Sequence, residues 1–266
     1  MTKGSQPTDG GNLIFTVAEH TSFISRYPDK EHLFKRYVGS REFINNEFRY
    51  CLWLYNVPPS EYRNFPEIRA RLEAVRDMRS NSPTASVRED ADTPYLFTQI
   101  RQPSSDYLIV PETSSENRKY IPIGFVEPDI ICSNAVRIVP NATLYHFALM
   151  SSQIHMTWMR TVSGRLKSDY RYSPLVYNNF PWPTLTEEQT LQITETAKAI
   201  LRARDLYPDE SLADLYDLYM PPELRRAHDD NDQAVMNAYG FSSRMTEAEC
   251  VSELMRLYQE RISPNN

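Results

Sequence analysis

Hydrophobic and polar residues alternate in the first two thirds of the chain and fall into helical steps near its end. Phe48, Tyr50, Leu52 and Leu54 alternate with Arg49, Cys51 and Trp53, a two-residue period that predicts a core strand over 48–55. A shorter strand is expected at Leu13–Thr16, after the turn-forming run PTDGGN. Residues 29–38, DKEHLFKRYV, read as a short helix broken by Gly39-Ser40. Ile68, Leu72, Val75 and Met78 recur at helical spacing and predict a helix over 66–79, whose Arg69, Glu73 and Arg76 can pair along the exposed side. Residues 80–106 have loop composition. Three strand candidates follow at Tyr107–Val110, Tyr120–Phe125 and Ile130–Val139, with Asn134-Ala135 as a bulge or corner inside the third.

The pattern then changes. Leu144, Phe147, Ala148, Ser151, Ile154, His155, Trp158 and Val162 share one face of a single helix ending at Gly164, where a left-handed terminal residue is expected. Beyond Pro181-Trp182-Pro183 the periodicity is helical: 187–206, with Leu191, Thr194, Ala197, Ala199–Leu201 and Ala203 inside, then about 209–219, 222–239 and 246–262. Thr246 and Glu249 make a capping box for the last. The fold class is therefore α+β, a mixed α/β domain over 1–183 followed by a small all-helical domain over 184–266.

Charge sharpens this division. The net charge of −6 averages two unlike parts. From Thr184 onward there are 8 Lys+Arg against 16 Asp+Glu, a net of −8, so the first 183 residues hold 21 against 19, a net of +2. A basic working surface beside an acidic accessory domain is the simplest account. No apolar run is long enough to span a membrane and the polar N-terminus has no signal core, so a cytoplasmic protein without membrane contact is expected. Cys51, Cys132 and Cys250 are far apart and odd in number, which fits reduced thiols.

Catalytic chemistry finds little support. Seven glycines form no phosphate loop. Asn56-Val57-Pro58-Pro59 is only superficially like the Asn-Pro-Pro-aromatic loop of amino-methyltransferases and reads as a strand-ending turn. His146 and His155 suit a satisfied core position or a phosphate contact, and Asp229, Asp230 and Asp232 a solvated loop or helix end. More telling are Arg165, Lys167, Asp169 and Arg171, at every second position with Tyr170 and Tyr172 among them. In an extended segment they would form a charged comb on one face. Lys reaches guanine acceptors in the major groove and Asp accepts from the cytosine amino group. Lys167 and Asp169 could thus read both halves of a G·C pair, or simply pair with each other or with solvent.

At these residues the sequence resembles a known family. GRLKSDYRYS followed by VYNNFPWP, with GSREFINNEFRYCLWL (39–54), SSENRKYIPIGF (114–125), Ser133-Asn134-Ala135 and HMTWMR (155–160), is similar to the C-terminal specificity region of MmeI-like type IIG (type IIL) restriction–modification enzymes. The resemblance implies a target recognition domain plus a helical C-terminal domain. It directs an adenine-specific DNA methyltransferase and endonuclease whose catalytic motifs are absent from this chain. It also implies base reading by Lys167, Asp169, Arg171, Asn134 and Ala135, with Arg165, Arg118, Lys119 and Arg160 as candidates for DNA phosphate. The implied partners are double-stranded DNA and a methyltransferase domain of the same polypeptide or a split partner. S-adenosylmethionine is the expected cofactor of that methyltransferase domain, and none is expected in this chain. The competing expectation is a scaffold that docks to the methyltransferase core and touches DNA incidentally.

Overall fold

Strand β1 (Thr2–Lys3) opens the chain at the edge of a sheet whose other strands come a hundred residues later, in a computed structural model that describes residues 1–263. There follow β2 (Ile14–Phe15), α1 (Val17–Arg26), β3 (Phe34–Val38), α2 (Ser40–Ile44), β4 (Arg49–Leu52), α3 (Pro66–Ser80) and α4 (Ala85–Glu89). The middle of the chain supplies β5 (Tyr107–Pro111), β6 (Thr113–Ser114), β7 (Gly124–Val126), β8 (Ile131–Cys132) and β9 (Val136–Pro140). Then come α5 (Leu144–Met150), α6 (Gln153–Val162), β10 (Gly164–Leu166), β11 (Asp169–Arg171) and α7 (Pro174–Asn178). Helices α8 (Glu187–Asp205), α9 (Leu212–Leu215), α10 (Pro222–Tyr239) and α11 (Glu247–Ile262) complete it. Sheets in the first part and helices in the last make the chain α+β, as the patterning indicated.

Three small sheets share the strands. One runs β1-β9-β5-β7 and is antiparallel throughout. A second runs β2-β4-β3-β8, antiparallel except for the parallel pair β3–β8. The third, β10-β11-β6, is a hairpin laid against the end of the segment that carries β5. β8 and β9 belong to different sheets, so Ser133-Asn134-Ala135 is the corner where the chain crosses between them. The reading of that tripeptide as a bulge or corner resolves to the corner.

Several expectations fail for physical reasons. The helix expected at 29–38 is a 3-10 turn at Pro28–Leu33 followed by β3. Phe34 and Val38 gain partners in β4 and β8, and that pairing outweighs the short local pattern. Only the end of the 120–125 candidate becomes a strand, while Tyr120, Ile121 and Ile123 are buried in the core. The loop at 80–106 holds α4 and a 3-10 turn at Asp90–Asp92. The single helix over 144–162 is two, interrupted at Ser151-Ser152, and the Ser152 side chain caps α6 by accepting from the His155 amide. Gly164 starts β10 and stops nothing, because α6 ends at Ser163 in an extended conformation. On α8 the inner face is Ile193, Ala197, Ile200 and Ala203, while Leu191 is 69% exposed.

One apolar core joins Leu108, Val110, Phe147, Trp158 and Val176 to Ile193, Ile200, Leu224 and Leu254. The compositional change at Pro181–Pro183 is thus not a break in packing. A second core lies between α1, α3 and the sheet of β2, β3 and β4, around Leu13, Phe23, Leu52 and Val75.

Candidate nucleic-acid interface

Pairing in the β10–β11 hairpin decides where its charges point. Gly164 faces Arg171, Arg165 faces Tyr170, and Leu166 faces Asp169, with Lys167 and Ser168 as the turn. Directly opposed residues in an antiparallel ladder share a face and neighbours alternate. Leu166, Asp169 and Arg171 therefore occupy one face, and Arg165 and Tyr170 the other. The comb expected from the sequence does not exist: the turn at Lys167-Ser168 folds it in half. The Tyr170 face is inward, since that ring is 8% exposed, while Leu166 on the opposite face is 53% exposed. Lys167 sits at the tip with φ +57°, a left-handed conformation uncommon for a residue with a Cβ. It is exposed and, among the described residues, has no salt bridge.

Behind the hairpin lies a rigid platform. The His155 Nε2 meets the Tyr172 hydroxyl at 2.8 Å and the Trp158 indole donates to the Val176 carbonyl at 2.9 Å, so α6 holds both the end of β11 and the start of α7. Both His155 and Tyr172 are buried. Burial pushes the His155 imidazole down to about 3, so it is neutral. Of the two readings of His155, the core residue fits, bonded through Nε2 while its buried Nδ1 has no partner among the described residues, and the phosphate contact does not. His146 instead closes the N-terminus of α5 through Thr143.

Arg171 is tied to the body by Glu112, whose Oε1 accepts from Arg171 Nε at 3.0 Å and forms ion pairs with Arg171 Nη2 at 3.0 Å and with the buried Arg137 Nη2 at 2.9 Å. The Glu112 amide donates to Ser40 Oγ at 3.3 Å, and Ser40 Oγ donates to the Ala135 carbonyl at 2.7 Å. The strand register agrees. Val136 pairs with Pro111 and Arg171 with Thr113, so the Asn134-Ala135 corner and the outer face of β11 flank the same short stretch. Asn134 is half-buried and Ala135 exposed. The structure thus ties Arg171 directly, and the Asn134-Ala135 corner through Ser40, to Glu112, with Asp169 on the same face of the hairpin as Arg171 and Lys167 at its tip. Glu112 and Ser40 were not found from the sequence. A lone acid after an apolar strand carries no local signal, and only the register shows what it meets.

The remaining basic candidates are differently placed. Lys119 Nζ pairs with Asp229 at 3.1 Å and Arg160 Nη1 with Glu247 at 3.1 Å, both partners lying on the late helices. Arg118 is half-buried. Burial depresses its guanidinium, and the carboxylates of Asp217 and Asp169 offset this. Arg165 folds back on its own hairpin.

The acidic run in the helical part is also recast. Asp229, Asp230 and Asp232 lie inside α10, not at a helix end. Asp232 accepts from the Gln153 amide and from the Tyr120 hydroxyl, both at 2.6 Å. Among the described residues no three His, Cys, Asp or Glu side chains converge to hold a metal ion. No helix among them is long and apolar enough to cross a membrane. The arrangement offers hydrogen-bond donors and acceptors on an outward ribbon, which is chemistry for recognition.

Comparison with known proteins places these features. A family model described as MmeI, target recognition domain, matches residues 1–184, and one described as MmeI, C-terminal domain, matches residues 185–264. The chain is 39% identical over 261 residues to DNA methyltransferase A of Bacillus subtilis (strain 168), covering 97% of this chain and 29% of that protein. It is similar in structure to the type IIL restriction-modification enzyme MmeI solved in complex with DNA. There the TM-score is 0.95 and the identity 48%, over 98% of this chain and 35% of the other. The chain therefore spans about a third or less of the length of either relative.

Proposed function

Because this chain belongs to the MmeI family, as its target recognition and C-terminal domains, we propose that it is the sequence-reading module of a restriction–modification DNA adenine methyltransferase. It binds double-stranded DNA and sets the site at which catalytic domains elsewhere in the parent polypeptide, or in a split partner, act. Those domains use S-adenosylmethionine for methyl transfer and carry the endonuclease; the residues of this chain choose the site.

The observation that carries this reading is the outward face of the β10–β11 hairpin. Asp169 and Arg171 share it, Lys167 stands at its tip without a salt bridge among the described residues, and the Asn134-Ala135 corner lies alongside. A two-stranded ribbon fits the major groove of B-DNA. Lys167 reads guanine and Asp169 the cytosine amino group, and Arg171, Asn134 and Ala135 read neighbouring pairs. Arg118, Lys119 and Arg160 are contacts to phosphate. The salt bridges of Lys119 and Arg160 to Asp229 and Glu247 are half-exposed, and exchanging such a pair for phosphate costs only about 0–1 kcal/mol.

The test is the paired exchange Lys167→Glu with Asp169→Arg in the complete enzyme, read by sequencing the methylated sites. The modified base is expected to stay the same while one base pair of the target changes. An unchanged target would remove Lys167 and Asp169 from base reading. The scaffold alternative is separated by salt. Phosphate contacts make the logarithm of affinity fall with the logarithm of salt concentration, whereas a protein-docking scaffold binds duplex DNA weakly at every salt concentration.

A further inference from the structure

Arg165 has the charge of a phosphate ligand but not the placement of one. Its Nη1 donates to the Ser168 carbonyl at 2.7 Å, across the turn that Lys167 and Ser168 form, and to Glu116 at 3.2 Å. Its Nη2 donates to the Tyr170 hydroxyl at 3.2 Å, and the guanidinium carbon lies 4.1 Å from the centroid of the Tyr170 ring. Tyr170 is itself pinned by pairing with Ser114 and by burial. The hairpin register puts Arg165 on the Tyr170 face, opposite the face of Asp169 and Arg171. Three of its five N–H donors are thus engaged on and beside the hairpin, and a grip on phosphate through the Nη1–Nη2 edge would have to release the carbonyl that closes the turn. That turn needs closing, since Lys167 sits there in a left-handed conformation that side chains with a Cβ resist.

We infer that Arg165 is a positioning residue: it clamps the hairpin turn from behind and thereby fixes where Lys167 and Asp169 point. The inference rests on the reading of those two residues as base contacts and adds to it a residue that touches no base. It also explains why a guanidinium stands here. Only its planar fork can bond a carbonyl and a hydroxyl while lying on an aromatic ring, and a lysine ammonium, equal in charge, cannot.

Arg165→Lys is therefore the informative variant, compared with Arg165→Ala and with the unmodified 266-residue chain. The probe is a pool of duplexes with a randomised core, selected on each protein and sequenced, with the affinity of the best duplex followed against salt. Both variants are expected to lose about tenfold of the preference at the base pair read by Lys167 and Asp169, with the salt slope unchanged. Amide hydrogen exchange at Lys167, Ser168 and Asp169 should quicken in both while α6 stays protected, which shows that the body is folded. A phosphate ligand would behave otherwise. Arg165→Lys would match the unmodified chain, and Arg165→Ala would weaken every sequence alike and lower the salt slope by about 0.9. That result, or unchanged exchange at the turn, overturns the inference. If the Lys167→Glu, Asp169→Arg chain selects the same duplexes as the unmodified chain, base reading by these residues fails instead, and any role of Arg165 in base choice falls with it.

Discussion

Arg79 shows how much a single side chain can organise. It is fully buried, and its Nε, Nη1 and Nη2 donate to five backbone carbonyls, those of Pro7, Thr8, Asp90, Thr93 and Leu96. Among the described residues no carboxylate is bonded to it, so carbonyl dipoles replace its hydration; burial depresses the guanidinium, and the charges of Asp90 and Asp9 offset part of this. Arg79→Lys keeps the charge but offers three donors to those five acceptors. We expect a loss of about 3 kcal/mol or more, measured as a shift in the urea midpoint, because a buried charge with missing partners is among the costliest defects. In the sequence Arg79 is one arginine among several on α3, and periodicity assigns it no special role. Arg69 does pair with Glu73 as its spacing suggests. The two residues look alike in sequence and differ only in what surrounds them.

At the scale of elements, the interruption between α5 and α6 is the joint on which the platform turns. Two serines at 151–152 leave backbone groups unbonded, and α10 supplies their partners. Asn231 donates to the Ala148 carbonyl at 2.9 Å, His228 Nδ1 lies 3.1 Å from the Ser151 carbonyl, and Asp232 accepts from the Gln153 amide. On its other side His228 Nε2 meets the Tyr216 hydroxyl at 2.7 Å. These groups make the fold respond to pH in opposing directions. Burial pushes His155 and His228 down to about 3, so their contribution is present above an unfolded value near 6.5 and is lost as the pH falls toward 3. Burial raises Asp232 to about 6, so its contribution is present below an unfolded value near 3.8 and is lost as the pH rises through 6. Between pH 7 and 5 the aspartate thus offsets part of the loss from the histidines. Asp232→Asn should deepen the fall in unfolding free energy between those two pH values, which denaturant titrations at pH 7 and 5 will measure. An equal fall in both proteins would remove Asp232 from the balance.

At the scale of the whole molecule, the two family segments are fused by one core. Phe147, Met150 and Trp158 pack with residues of α8, α10 and α11, and Lys119–Asp229 and Arg160–Glu247 tie the rims. The acidic surplus after residue 184 is therefore partly used inside the chain, against the basic segment that carries the reading hairpin. A chain ending at Pro183 would expose the outer side of α5 and α6 and leave the Ala148 and Ser151 carbonyls without their partners on α10. We expect it to be degraded rapidly by limited proteolysis and to lack a cooperative thermal transition. A sharp transition near that of the longer chain would show that the platform stands alone.

The sequence by itself determined the α+β class, the change to helices after Pro183, the strand at Tyr107–Val110 and the helices at 66–79, 187–206, 222–239 and 246–262, each to within a residue at its ends. Each rests on a local period long enough to outvote its surroundings. The motifs of the 164–183 stretch also carried the family, because ordered residue identities survive where periodicity says little. Only the tertiary structure decided the conformation of 29–38, which pairing with β4 and β8 drew out of a helix, and the break at Ser151-Ser152, which partners on α10 make affordable. It alone decided which face each charge of the hairpin takes. Alternate spacing cannot distinguish one straight strand from two strands joined by a turn, and the turn puts Arg165 on the face of Tyr170 and Asp169 and Arg171 on the other. Glu112 and Ser40 were silent for the same reason, since hydrogen bonds between residues far apart in the chain leave no trace in its local pattern.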